Sequence, residues 1–296
     1  MKLMVEANSL YEIRKLITLN NVEIVMVGID FLSLECHKQE MNVLEKIVKL
    51  IHHHKKKIAL DMERIYHEDD FTFIKMLIQN NTIKTIDYYV YSDLGIYQLI
   101  IEMGLAKKGI YRANTYLTNA KDVSIFQKLN QYVVASNQIT SDELINLSNN
   151  VQSNLIIDAF GMGCCFYSRR PLLSNYLKFK NILDKHYTNT VLKLQEETRD
   201  NYYHFIEDYN GVRIYEENYY ALTDELSKVK CEYLLLHHFN LKNNVFVKIV
   251  SLYNDYLNQA FNEITLEEAL NTLGIKIGKG AYGFKTVLLK GESNNE

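Results

Sequence analysis

The sequence predicts an α/β chain folded as a (β/α)8 TIM-like barrel, with a small antiparallel β insertion between strands 7 and 8. Three observations lead there. Short apolar runs recur through roughly the first 160 residues, each is followed by a segment of helical periodicity, and the runs are unbroken instead of alternating. Ile24-Val25-Met26-Val27 and Leu155-Ile156-Ile157 are of this kind. Such runs suit strands buried on both faces of a parallel sheet.

Strands are expected near Leu3–Ala7, Val22–Ile29, Lys57–Met62, Ile86–Ser92, Gly109–Tyr116, Tyr132–Ser136 and Leu155–Phe160. Between them, Leu10, Ile13, Leu16 and Ile17 share one helical face, as do Val43, Leu44, Ile47, Val48 and Ile51, and Phe73, Ile74, Leu77 and Ile78. Ser9 and Thr140-Ser141-Asp142-Glu143 supply N-cap signals. Seven such units imply repeated right-handed crossovers. An eighth strand, Cys231–His237, comes only after a long interruption and is followed by a helix through Leu241–Phe261. Eight strands close most naturally into a barrel. A doubly wound open sheet is the alternative, because periodicity does not show closure.

The organisation is therefore barrel units 1–7 over residues 1–176, an inserted hairpin region over 177–230, and the last strand and helix over 231–296. Within the insertion, Val191–Glu197 reads as a strand, and Tyr202–Ile206 and Val212–Tyr215 flank Asn210-Gly211. Asn-Gly between apolar runs signals a type I′ hairpin, since both residues tolerate positive φ. Thr286–Leu289 is expected to add a further strand, and Glu292–Glu296 to fray.

Composition narrows the function classes. The 296 residues carry 36 acidic and 33 basic side chains, so 36 − 33 leaves a net charge of −3. With 47% hydrophobic and 23% charged residues, disorder is excluded and a sizeable core is available. A near-neutral balance argues against a surface basic all over, though not against a local basic patch. Four scattered cysteines, Cys36, Cys164, Cys165 and Cys231, do not make a secreted disulfide framework. The amino terminus lacks a signal-peptide h-region, and no run of about 18 apolar residues would span a membrane. A cytoplasmic protein is expected.

The most unusual segment runs from Gly161 to Tyr176. Following the seventh strand, it belongs at the carboxyl-end mouth, where barrel active sites are built. Arg169 and Arg170, with Tyr167, Ser168, Ser174, Asn175 and Tyr176, have the chemistry to bind a planar dianion, or else form a solvated surface loop. Adjacent Cys164 and Cys165 are poorly spaced for a metal and are expected to pack as thiols beneath the loop. His52-His53-His54 with Lys55–Lys57 reads as a solvated helix end. His237-His238 ends the eighth strand; the two face opposite ways, so at most one enters the barrel. With Glu6, Asp61, Glu63, Asp93, Asn114 and Asp158 at other strand ends, the mouth has the makings of a polar pocket. Gly278–Gly283 fails as a phosphate loop, because no helical pattern follows it.

Tyr167-Ser-Arg-Arg-Pro-Leu-Leu-Ser-Asn-Tyr176 resembles the signature Tyr-Ser-x-Arg-x-Leu-Leu-Ser-Asn-Tyr of the collagenase-like peptidase family U32. Ile86-Asp87 through Asp93-Leu94-Gly95, Thr118-Asn119, Leu194–Arg199 through Asn210-Gly211, and Gly283–Lys290 also resemble it, closest to a short Gram-positive branch. The resemblance implies a barrel-like fold and carries a peptidase label without an assigned catalytic residue. Other members act in hydroxylation of tRNA wobble uridine, ribosomal RNA cytidine or ubiquinone rings, many through an iron–sulfur cluster on four cysteines. Here Cys164 holds the first such position and Pro171 the second, and no cysteine lies between Cys165 and Cys231. One thiolate does not hold a cluster that takes about four ligands, so no cofactor is expected. Asn137-Gln138 and His237-His238-Phe239-Asn240 replace an Arg-Glu pair and a Lys-x-Glu-Gly-Arg-like segment. These departures imply an accessory or degenerate member in tRNA wobble-uridine hydroxylation, partnered by a cysteine-bearing paralogue and by tRNA. A genuine peptidase and a prephenate-like dianion-binding module are the alternatives. The binding residues expected are Tyr167, Ser168, Arg169, Arg170, Ser174, Asn175, Tyr176, Asn114, Asn119 and His237, with no metal ligands and no catalytic residue assigned.

Overall fold

The computed structural model describes residues 1–113, 116–182, 187, 189–198 and 200–283. Asn114 and the expected strand at Thr286–Leu289 lie outside the described residues. The strands are β1 (Lys2–Glu6), β2 (Val22–Ile29), β3 (Lys38–Gln39), β4 (Lys57–Met62), β5 (Tyr88–Tyr91), β6 (Gly109–Arg112), β7 (Tyr132–Val134), β8 (Leu155–Ser168), β9 (Leu192–Gln195), β10 (Tyr202–Asp208), β11 (Gly211–Ala221), β12 (Tyr233–Leu236) and β13 (Ile277–Gly278). The helices are α1 (Leu10–Leu16), α2 (Met41–His53), α3 (Asp70–Ile78), α4 (Asn81–Lys84), α5 (Leu94–Glu102), α6 (Ala120–Leu129), α7 (Ser141–Asn149), α8 (Leu172–Phe179), α9 (Asn243–Leu257) and α10 (Glu263–Asn271).

Parallel pairing runs β1-β2-β4-β5-β6-β7-β8, and β12 then pairs with both β8 and β1. The ring is closed, so the open-sheet alternative is out. Side chains along its strands alternate between the helices and the barrel interior. Leu3, Val5, Val25, Leu60 and Leu234 face the helices and join one large apolar cluster. Met4, Ile24, Met26, Ala59, Val90, Ile110, Val134, Ile156 and Leu235 form a second, separate cluster that fills the barrel. Helix starts are pinned where the sequence signals them. Ser9 accepts from Glu12 N, and Thr140 with Glu143 makes a complete capping box.

The seventh strand differs from expectation. The chain does not leave the barrel as a loop after Phe160; β8 continues to Ser168 and pairs antiparallel with β11, which in turn pairs with β10, and β10 with β9. The insertion is therefore an antiparallel sheet grown on a barrel strand. Its hairpin also differs in type. Asp208 pairs with Gly211, which puts Tyr209 and Asn210 at the tip, and of the Asn-Gly pair only Gly211 takes a positive φ, +104°. A Cβ at Gly211 would lie 2.1 Å from the Ser168 carbonyl oxygen. Gly211→Ala should consequently lower stability by more than about 1 kcal/mol in urea unfolding, since both strain and collision oppose it. Wild-type stability in that variant would mean the turn is not held as described.

Candidate active site at the barrel mouth

The polar mouth follows from strand parity. Two residues beyond the inward Met4, Ala59, Ile110, Ile156 and Leu235 stand Glu6, Asp61, Arg112, Asp158 and His237. The apolar filling of the barrel is thus capped by a layer of charge, and all five are buried. Arg112 Nη1 donates to both oxygens of Glu63 at 3.0 and 2.8 Å, while Nη2 donates to Asp158 Oδ2 at 3.3 Å. His237 Nδ1 lies 2.6 Å from Glu6 Oε1, and Nε2 2.9 Å from Asp158 Oδ1. Held between two carboxylates, the ring is assigned as an imidazolium that donates to both. Burial and the Arg112 guanidinium push its pKa down, but Glu6 and Asp158 outweigh them and raise it to about 10. His238 turns the other way. Its backbone N–H donates to Glu6 Oε2 at 2.7 Å, and its Nε2 sits 2.9 Å from Glu12 on α1.

The layer holds more acid than base. Burial pushes Glu63 up to about 8; Arg112 opposes this, and the charges of Asp61 and Glu35 add to it. Burial also raises Asp61 to about 6, even though its Oδ2 accepts from the backbone of Leu34, Glu35 and Cys36, and its Oδ1 from Glu63. Glu6 and Asp158 go the opposite way. Burial would raise them, and the cations His237 and Arg112 bring both below the usual carboxylate range.

Above this layer opens a cavity of about 410 Å³, lined by Leu34, Glu35, Glu63, Ile65, Ser92, Asp93, Ala113, Tyr116 and Cys164–Tyr167. Among the described residues no lysine, arginine or histidine lines it, so its charged lining is acidic and its apolar lining includes aromatic faces. Cys164 and Cys165 do not pack beneath a loop as expected. They stand on the extended β8, Cys164 half-buried and Cys165 exposed, and their Sγ atoms lie 3.4 Å from Phe166 O and 3.3 Å from Ile214 O. Burial raises both thiols above their ordinary range, with Glu35 adding to the effect at Cys164. They are thiols, not thiolates, at neutral pH.

The sequence-derived binding residues disperse. Of its described members, Tyr167 alone lines the cavity, and His237 sits in the charged layer beneath it. Arg169 donates to Asp70 at the start of α3 at 3.2 Å, and Arg170 is exposed. The joint dianion clamp the sequence suggests would have to form outside the cavity, since neither arginine lines it and Arg169 is already paired. The Ser168 hydroxyl accepts from Arg170 N. Ser174, through its backbone N–H and hydroxyl, donates to the buried Glu207, which thereby caps α8; Asn175 and Tyr176 are on the exposed side of that helix. Asn119 caps α6, accepting from Lys121 and Asp122. Arg112, Glu35, Asn137 and Tyr220 are the site residues the sequence reading missed. Asn137 donates to Asp158 at 3.1 Å, and Tyr220 is 3.4 Å from Asn137. The available signal for Arg112 was its place two residues after Ile110 in an otherwise apolar strand.

For metals, Glu6, Glu35 and His237 bring one ligand atom each within 4.8 Å of one another, the one such group among the described residues. His237 would have to give up a carboxylate to serve. No cysteine belongs to such a group. Cys231 precedes β12 at the amino end of the barrel, while Cys164 lies past its carboxyl end, so the chain's thiols do not fit a four-thiolate cluster.

A closed parallel barrel with a charged mouth and an antiparallel excursion on its seventh barrel strand defines the class. The chain belongs to peptidase family U32, whose profile matches residues 10–274. It is 23% identical over 188 residues to the tRNA hydroxylation protein P2 of Bacillus subtilis (strain 168), covering 62% of this chain and 61% of that protein. It is 24% identical over 160 residues to the uncharacterized protease MJ0090 of Methanocaldococcus jannaschii, covering 52% of this chain and 39% of that one. The matches thus span less than two thirds of either relative. The solved U32 peptidase Mk0906 has the same fold, with a TM-score of 0.50 at 11% identity over 81% of this chain and 94% of that one. Among the described residues no helix is long and apolar enough to cross a membrane.

Arg112→Met should cost about 3–5 kcal/mol, because it strips Glu63 of its buried cation and leaves Asp158 with His237 alone. Stability should also fall as pH rises. His237's contribution is full below about 6.5 and lost as pH passes 10; that of Glu63, also raised on folding, is full below about 4.5 and lost through 8. Urea titrations across pH 6–10 should show this decline, and His237→Gln should remove its upper part. A variant profile parallel to wild type would contradict the assigned imidazolium.

Proposed function

We propose that this chain acts in tRNA wobble-uridine hydroxylation as an accessory subunit beside a cysteine-bearing relative, and that it does not cleave peptides on its own. The observation that carries the reading is the chemistry of the mouth. Its charged groups are committed to one another, with His237 held between Glu6 and Asp158 and Arg112 paired with Asp158 and hydrogen-bonded to Glu63. A peptidase of the serine or cysteine type needs a nucleophile beside a base. The two thiols at the mouth are protonated and sit against backbone carbonyls, and the imidazole is a cation with both nitrogens engaged. The likeness to a protein named for tRNA hydroxylation supplies the alternative role.

The cavity suits that role better than a charged small molecule. Glu35, Glu63 and Asp93 with Tyr116, Phe166 and Tyr167 offer acceptors and ring faces to a planar group rich in N–H donors, as a nucleobase is. Mass spectrometry of tRNA from a strain lacking the gene should show loss of the hydroxylated wobble uridine, restored by wild type and not by Arg112→Met. Unchanged tRNA would reject the reading. Cleavage of casein or gelatin by the purified chain would establish the competing one.

A further inference from the structure

We propose that helix α8 and the segment leading into it form a surface for single-stranded RNA. The helix covers no core: none of its residues is buried. Residues 169–182 carry four cations, Arg169, Arg170, Lys178 and Lys180, and no acidic residue, in a chain whose net charge is −3. Arg169 is spent on Asp70, whereas Arg170, Lys178 and Lys180 are exposed. Tyr176 and Phe179 stand out from the same helix, 55% and 78% exposed. Lys180 Nζ lies 5.9 Å from the centroid of each ring.

Exposed rings interleaved with lysines are what a phosphodiester strand with unstacked bases requires: the rings stack bases and the cations meet phosphates. A protein partner fits less well, because lysine is depleted from the cores of protein interfaces and here a lysine attends both rings. The connection to the mouth is covalent and short. Tyr167 lines the cavity, and Arg169 is already on the rim beside α3. A strand lying along α8 is therefore led to the cavity. The identity of the RNA as tRNA rests on the function proposed above; the chemistry of the surface does not.

The test uses the full chain and fluorescence anisotropy with two labelled probes, a tRNA transcript and an unstructured single-stranded RNA. Tyr176→Ala with Phe179→Ala should weaken binding roughly tenfold or more, the loss expected for stacked bases. Lys178→Glu with Lys180→Glu should weaken it and lower the salt dependence by about one phosphate contact or more. Lys46→Glu, an exposed lysine on α2, should leave it unchanged. All these positions are on the surface, and circular dichroism checks folding. A wild-type chain that binds neither probe, or variants that bind as wild type does, would overturn the proposal. So would variants that keep RNA binding but lose association with a second protein chain. Deletion-strain tRNA is read separately. Lost hydroxylation with RNA-competent α8 variants sinks the surface alone, and intact hydroxylation with RNA-defective variants sinks the pathway alone.

Discussion

Everything at the mouth depends on the pairing of Arg112 and His237 with the acids around them. A barrel filled by Met4, Ile24, Met26 and Ile110 is a low-dielectric plug, and single charges placed on top of it would be severely penalised. The solution is reciprocal. Asp158 accepts from both cations, Glu63 completes Arg112, and Glu6 completes His237 while also taking the His238 backbone N–H. Six strands thereby deliver one connected network from β1, β4, β6, β8 and β12, with Asn137 joining after β7. Such a network is stable only when complete, because any member left alone keeps its desolvation cost and loses its partner.

The excess of carboxylate in that layer sets what the cavity above can receive. Glu35 and Asp93 extend the acidic lining outward, so anions are kept from the mouth, and the cationic surface lies apart from it on α8. The proposed attraction of a polyanion and the proposed reading of a planar group thus fall in different places, joined by the run of β8.

Much of the fold was legible in the sequence because parallel strands buried on both faces leave unbroken apolar runs that little else produces. The direction of His237 against His238 was equally legible, since strand parity permits no other outcome. The extension of β8 was not. Gly161 and Gly163 have poor strand propensity, and the pairing of the segment depends on β11, some fifty residues further along. Gly161 is there for close approach: a Cβ would meet the Tyr220 hydroxyl at 2.8 Å and the His237 Cβ at 3.0 Å. Arg112 was passed over because a single arginine at a strand end looks like the start of a solvated loop. Its role appears only when acids from distant strands surround it. The signature residues misled for a related reason: Ser174 and Asn119 are capping residues, and caps attract the same polar side chains that ligands do.

The continuity of β8 has one more result. Leu155 to Phe160 are staves of the barrel, and Gly161 to Ser168 are the innermost rung of the outer sheet, in one continuous strand. The excursion is therefore no detachable module. Excising it would shear off the wall that carries Cys164 to Tyr167 across the cavity, and grafting it elsewhere would require transplanting a barrel stave as well. Lineages that keep the barrel are constrained to reshape this sheet away from β8, on β9 and β10, where the mouth is not touched.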